Sequence, residues 1–230
     1  MEKIKIGITI DHVFRNVYGK IVELYRKHYI DLPKEEAEDN DGFITQFEIN
    51  ESGTTAVQVQ FVPPVLNLPI TSNNLMEHLP FKDEHEMNEF ISEEFPLEIF
   101  GYAKEMEPGS MTVFNDWLTK LPSYVEVILI SNEISKTKPA TLFFLSKTGF
   151  EGNNIKFIDD SIDIWEICDI LITSSEVKHL KPTNKKMIVI EREHNKTLTG
   201  DMKFSSLFEL FEANIMDVIE NNNTYNKKLK

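Results

Sequence analysis

The sequence predicts an α/β protein: a three-layer Rossmannoid core around a parallel sheet, with an α+β cap inserted after the first strand. Three observations lead there. From residue 108 onward, short apolar runs rich in β-branched residues alternate with helical patterns, as buried parallel strands and their crossover helices do. A run of the same kind stands near the amino end, over residues 3–10. Between them, residues 30–107 carry a hairpin pattern that breaks the strand–helix rhythm.

Each element follows from local pattern. Residues 3–10 alternate and then turn apolar up to Asp11, which suits a buried strand, and Val13, Val17, Ile21, Leu24 and Tyr25 follow at helical spacing. The acidic stretch PKEEAEDNDG, residues 33–42, reads as a solvated loop. Phe43, Thr45, Phe47 and Ile49, then Thr55, Val57, Val59 and Phe61, alternate on either side of Asn50–Gly53, which predicts a β-hairpin ended by Pro63-Pro64. A lone two-stranded hairpin is unstable in water, so its apolar face needs a cover, either cap helices or another chain. Residues 72–95 carry helical signals up to Pro96, and Met87, Phe90, Ile91 and Phe95 form a core-facing stripe within a solvated acidic run.

Pro108-Gly109 open a helix running to Leu121, and YVEVILIS after Pro122 is a strand. KPATLFFLSKTGF is a helix with Pro139 in its first turn and Gly149 near its end. IKFI, DILITS and KMIVIE are further strands, and a last amphipathic element carries Phe204, Leu207, Phe208, Phe211, Ile215 and Val218 on one side. The organisation is then a core from 1–29 and 108–220, a cap from 30–107, and a flexible tail at 221–230.

Bulk properties narrow the function. The 230 residues suffice for one core with an insert. A net charge of -14 and a pI near 4.9 repel phosphate backbones, which excludes nucleic-acid binding through a broad basic face. The lone cysteine, Cys168 in IWEICDILI, reads as a buried thiol rather than a nucleophile. The start, MEKIKIGITI, lacks a signal-peptide pattern. No run approaches the roughly 20 apolar residues of a membrane helix. The expectation is a soluble protein of the cytoplasm with no membrane partner. Histidines 12, 28, 78, 85, 179 and 194 show no i, i+4 pairing and no cysteine partner, which argues against zinc; His12 reads as a surface histidine first and as a pocket-lining one second.

Open α/β sheets bind ligands at the carboxyl ends of their strands, where strand order reverses. That rule nominates Asp11, Ser131-Asn132, Asp159-Asp160 and Thr173-Ser174. Each also has a plain structural reading. Asp11 suits a helix N-cap or turn acceptor, Ser131-Asn132 a loop cap, and Asp159-Asp160-Ser161 a turn and N-cap for the next short helix.

IGITIDHVFRN resembles the first motif of the haloacid-dehalogenase superfamily, with Asp11 at the second aspartate and Thr9 at the nucleophilic first. EMEPGSMTVFNDWLTKL is similar to the family's helix before its second strand, and VILISNE to its second motif, with Ser131 as the phosphate-binding hydroxyl. KPATLFFLSKTGFEGNNIKFI followed by CDILITSS is similar to the cytosolic deoxyribonucleotidase branch. The resemblance places Asp163 where the family has its lysine and Thr173-Ser174 where it has its acidic metal pair. Family chemistry needs a carboxylate nucleophile, a cation for the phosphoryl oxygens and acidic ligands for Mg²⁺. Thr9, Asp163, Thr173 and Ser174 supply none of these, so the resemblance implies a vestigial site without catalysis or cofactor.

An alternative register takes IKFIDD as the metal motif, with Lys147 upstream and Asp11, Asp159 and Asp160 as Mg²⁺ ligands. It implies an atypical Mg²⁺-dependent 5'-nucleotidase or phosphatase. A third reading is a nucleotide sensor that binds phosphate weakly without turnover. The order of PLEIFGYA, PATLFFLSKTGF and DILIT is also similar to proteins of crAss-like bacteriophages. That likeness implies a structural or interaction protein in an oligomeric assembly of other subunits, such as a virion neck or tail ring, made in the host cytoplasm.

Overall fold

Strand β1 (Ile4–Thr9) owes its central place to a sequence apolar enough to be covered on both faces. A computed structural model describes residues 3–50, 53–132, 136–159 and 161–213. In it β1 pairs in parallel with β4 (Val125–Ser131) on one side and with β6 (Ile170–Thr173) on the other. β5 (Ile155–Phe157) extends the first side, and β7 (Lys186–Ile190) and β8 (Met202–Phe204) extend the second. The order β5-β4-β1-β6-β7-β8, all parallel, is Rossmann-like.

Alternation sorts the strands' side chains to two faces. Ile6 and Ile8 of β1, Leu129 of β4 and Ile170 and Ile172 of β6 share one core with Phe114 and Trp117 of α4 (Ser110–Lys120) and Leu207 and Leu210 of α7 (Leu207–Glu212). The opposite face gathers Ile128, Ile130 and Leu171 under Ile164, Trp165 and Ile167 of the short helix α6 (Ile164–Ile167). Gly7 is small because this face is tight: a Cβ there would lie 2.7 Å from Ile130 Cδ1 and 2.9 Å from Cys168 Sγ. Cys168 is buried, and burial pushes its thiol up to about 12. That agrees with the inert reading.

Helix α1 (Val17–Arg26) starts where Asn16 caps it, accepting from the Gly19 amide at 2.9 Å. Its inner face, Ile21, Leu24 and Tyr25, forms a separate core with Ile70, Leu79, Phe90, Ile99 and Phe100 of the inserted stretch. A π-helical turn over Lys27–Asp31 carries α1 into α2 (Leu32–Asp39). The acidic stretch expected as a loop is therefore largely helical: Pro33 sits in the first turn, and the Lys, Glu and Ala that follow favour helix.

β2 (Phe43–Asn50) and β3 (Gly53–Gln60) form the expected antiparallel hairpin. Its connection pairs Asn50 with Gly53, which sets odd positions of β2 against even positions of β3, so Phe43 faces Gln60, Thr45 faces Gln58 and Ile44 faces Val59. The apolar residues of the two strands thus fall on opposite faces. Helix α2 packs beside β2. Phe43 is still 41% exposed, and Thr45, Gln46, Gln58 and Gln60 are exposed as well.

The stretch at 72–95 holds a 3-10 turn at Leu75–Glu77, then α3 (Glu84–Glu89) and a π-helical turn at Phe90–Glu94. Pro96 opens a further helical turn, Leu97–Gly101, instead of ending the pattern. α5 (Thr137–Lys147) is capped at its carboxyl end near Gly149, which has φ +78°. The last apolar stretch divides into two elements: Phe204 belongs to strand β8, and the helix begins at Leu207, capped by Ser206. Ile215, Val218 and the stretch at 221–230 lie outside the described residues, as does Asp160.

Candidate functional site

The chain passes from β1 to β4 and β5 on one side, then returns to β6 on the other. The carboxyl ends of β1 and β6 therefore flank the crevice where such sheets place their ligands. Thr9 and Thr173 face each other there, and Thr9 Oγ1 donates to Thr173 Oγ1 at 3.2 Å. Thr173 Oγ1 also accepts from the Ser175 amide at 3.0 Å and donates to the Ser175 carbonyl at 3.2 Å. Ser174 is fully buried, its hydroxyl donating to the His12 carbonyl at 3.1 Å. Ser131, at the end of β4, is buried too. The cavity that Thr9 and Thr173 line with Asn132, Asp159 and His179 measures about 80 Å³. Small-molecule sites run to roughly 300–1,000 Å³.

Asp11 is committed elsewhere. Arg15 Nε donates to Asp11 Oδ1 at 2.7 Å, and Arg15 Nη2 lies 2.5 Å from the same oxygen. Arg15 is completely buried; its Nη1 donates to the Phe100 carbonyl at 2.9 Å and to Thr141 Oγ1 at 2.8 Å. The guanidinium also lies 5.0 Å from the Phe100 ring centroid and 5.4 Å from that of Phe144. Asp11 thus serves as counter-ion to a buried cation that ties the first loop to the insert and to α5.

The other predicted positions stand apart. Asp163 caps α6, accepting from the Trp165 amide at 2.9 Å. Asp159 follows β5, on the sheet edge, and accepts from the Ser161 amide and hydroxyl, which holds its carboxyl below the usual range. The expected turn is there, but the N-cap of the next helix is Asp163, not this segment, because α6 begins only at Ile164. Lys147 gives its ammonium to the carbonyls of Gly101 and Ala103 at 2.9 and 3.0 Å. As a Mg²⁺ donor set the β1–β6 crevice is poor: two neutral hydroxyls and one carboxylate already held by a guanidinium. Among the described residues, no group of three His, Cys, Asp or Glu side chains is arranged to hold a metal ion.

A larger cavity, about 730 Å³, opens beside this crevice. Its polar end is His12, Tyr18, Arg192 and His194; Val22, Leu68 and Ile70 supply apolar wall. His12, expected at the surface, is only 6% exposed and has φ +60°. Its ring lies 3.9 Å from Tyr18 and 4.7 Å from His194, centroid to centroid. Burial, then the charges of His194, Arg15 and Arg192, holds its pKa well below the ordinary value. Burial likewise lowers His194 and, with Asp11 adding to it, pushes Tyr18 up to about 12. Arg192 bridges the loops, donating to the His12 carbonyl at 2.9 Å and to Glu107 Oε1 at 2.7 Å. Glu107 in turn accepts from the Leu207 amide at the start of α7.

Sequence reasoning missed Arg15, Tyr18, Arg192 and Glu107. One signal was present: the arginine in IDHVFRN sits among apolar residues, where a buried, paired cation fits. Among the described residues, no helix is long and apolar enough to cross a membrane. Comparison with protein-family models and with curated proteins gives no match.

Proposed function

We propose that this chain is a non-catalytic interaction protein on a Rossmann-like scaffold, with the crevice of a haloacid-dehalogenase-type ancestor closed by its own hydrogen bonds. The observation that carries this is the pairing of Thr9 with Thr173 where the resemblance puts a nucleophile and a metal ligand. The nearest carboxylate, Asp11, is neutralised by a buried arginine. Phosphoryl transfer needs concentrated anionic ligands and a cation aimed at the phosphate; among the described residues neither is assembled at this crevice.

The partner class we assign is protein, in keeping with the acidic charge and the exposed β2–β3 hairpin. An uncovered edge strand can add to a neighbour's sheet. The likeness to crAss-like phage sequences extends the proposal to a subunit of a virion assembly such as a neck or tail ring.

The test has two arms. The purified protein is assayed for Mg²⁺-dependent hydrolysis of nucleoside monophosphates and an aryl phosphate, and native material is sedimented to ask whether it travels in large particles. No turnover together with particle association is the expected result. Turnover that disappears in Asp11→Asn protein would overturn the reading.

A further inference from the structure

We propose that the 730 Å³ cavity beside the crevice is a binding site for an uncharged planar heteroaromatic molecule, held at its polar edge by the imidazoles of His12 and His194. The volume falls within the roughly 300–1,000 Å³ of ordinary small-molecule sites. The shape of the lining follows the pattern of such sites, apolar walls with a few convergent polar groups.

His12 carries the argument. Its side chain is almost wholly buried and lines the cavity, and no described residue makes a hydrogen bond to its ring. Yet no buried polar side-chain atom among the described residues lacks a partner. The ring nitrogens of His12 must therefore border open space. The backbone holds the residue at φ +60°, a conformation that costs energy outside glycine and clusters at ligand sites. His194 adds a defined acceptor. Its Nε2 lies 3.2 Å from the Ser174 carbonyl, which can only accept, so Nε2 carries the proton and Nδ1 keeps its lone pair.

Charge decides the class of ligand. The two guanidiniums nearest the cavity are spent, Arg15 on Asp11 and Arg192 on Glu107. Glu193 on the rim is likewise paired, with Lys196, so the lining carries no net charge for an ionic ligand to pair with. Neutral His12 offers one donor and one acceptor, and His194, its N–H already given to Ser174, offers an acceptor, which suits a ring with an N–H beside a carbonyl or ring nitrogen. A phosphate would meet no uncompensated cation there.

The experiment uses full-length protein labelled with ¹⁵N-histidine, titrated with benzimidazole, indole and uracil, and with phenyl phosphate as the charged comparator. Saturable shifts of the His12 ring nitrogens with at least one neutral probe are expected. His12→Asn, which tolerates the left-handed backbone, should weaken binding tenfold or more, and Val22→Trp, which fills the cavity from α1, should abolish it. Three results would each overturn the proposal. One is no shift of the His12 nitrogens by any neutral probe at millimolar concentration. Another is binding unchanged in both variants. The third is tenfold tighter binding of phenyl phosphate than of the neutral rings. Because wild-type shifts and Val22→Trp are read separately, a His12→Asn protein that fails to fold still leaves a decisive outcome.

Discussion

Arg15 has no exposed surface, and it grips the partly exposed carboxylate of Asp11 through both Nε and Nη2. Removing one member of a fully buried pair costs about 3–5 kcal/mol, because the other loses that counter-ion. Asp11 keeps some contact with solvent, so Asp11→Asn should cost about 3 kcal/mol in urea unfolding. Arg15→Met with Asp11→Asn should recover part of that loss. A single variant within about 0.5 kcal/mol of wild type, the range of an ordinary surface change, would show that the pair is not structural.

Thr173→Val deletes a hydroxyl that bonds Thr9 and both backbone groups of Ser175. The variant keeps the shape of the side chain while leaving the Thr9 hydroxyl and the Ser175 amide without partners. An unsatisfied buried group costs about 1–3 kcal/mol; Thr9 and Ser175 are half-buried, so the loss should be smaller, and thermal unfolding should move down by a few degrees. An unchanged melting temperature would mean that the crevice hydroxyls are not holding β1 to β6.

Acid should weaken the fold before carboxylates begin to titrate. His12 and His194 are both held below their ordinary pKa, chiefly by burial. In the unfolded chain they take up protons near pH 6.5. Below that value the unfolded state binds more protons than the folded one, so stability present at neutral pH is lost as pH falls toward the folded pKa values. Each histidine contributes up to about 1.4 kcal/mol per pH unit in that window. Urea midpoints at about pH 7.5 and 5.3 should differ clearly in wild type and less in His12→Asn. Equal pH dependence in the two proteins would contradict the burial of His12.

Replacing residues 43–60 by a short Gly-Ser turn should leave the remainder cooperatively folded in urea, since the two strands pair with each other and meet α2 rather than the six-stranded sheet. Gly42 and Phe61 already meet at the hairpin base, where the Phe61 amide donates to the Gly42 carbonyl at 3.0 Å. Particle association should be lost in the same variant. Association that survives the replacement would assign assembly to another surface.

What could be read from the sequence follows the range over which each feature is determined. β4, β6 and β7 are continuous apolar runs, and the parallel sheet they build was legible because burial on both faces needs such runs. The carboxyl-end rule nominated Asp11 and Thr173-Ser174, though not the hydrogen bond between Thr9 and Thr173. β8 was not, because three residues carry too little pattern to be told from the helix after them. The acidic residues of α2 suggested solvation, and a solvated helix is equally acidic. The two faces of the hairpin depend on the parity of one turn, which no residue pattern fixes. Arg15 and His12 are defined by partners such as Phe100, Thr141 and His194, far along the chain.

The sheet order has a consequence for how the chain is made. β1 is translated first and sits in the middle, with Ile6 between Val127 and Ile170. Until β6 emerges from the ribosome, one edge of β1, whose Ile6, Gly7 and Ile8 are buried in the fold, stands open, while the insert can begin to order around α1 without it. A chain arrested after residue 169 would carry the β6 side of β1 unpaired. Such a product should be recovered bound to chaperones or in aggregates, with its insert more protected from protease than its sheet.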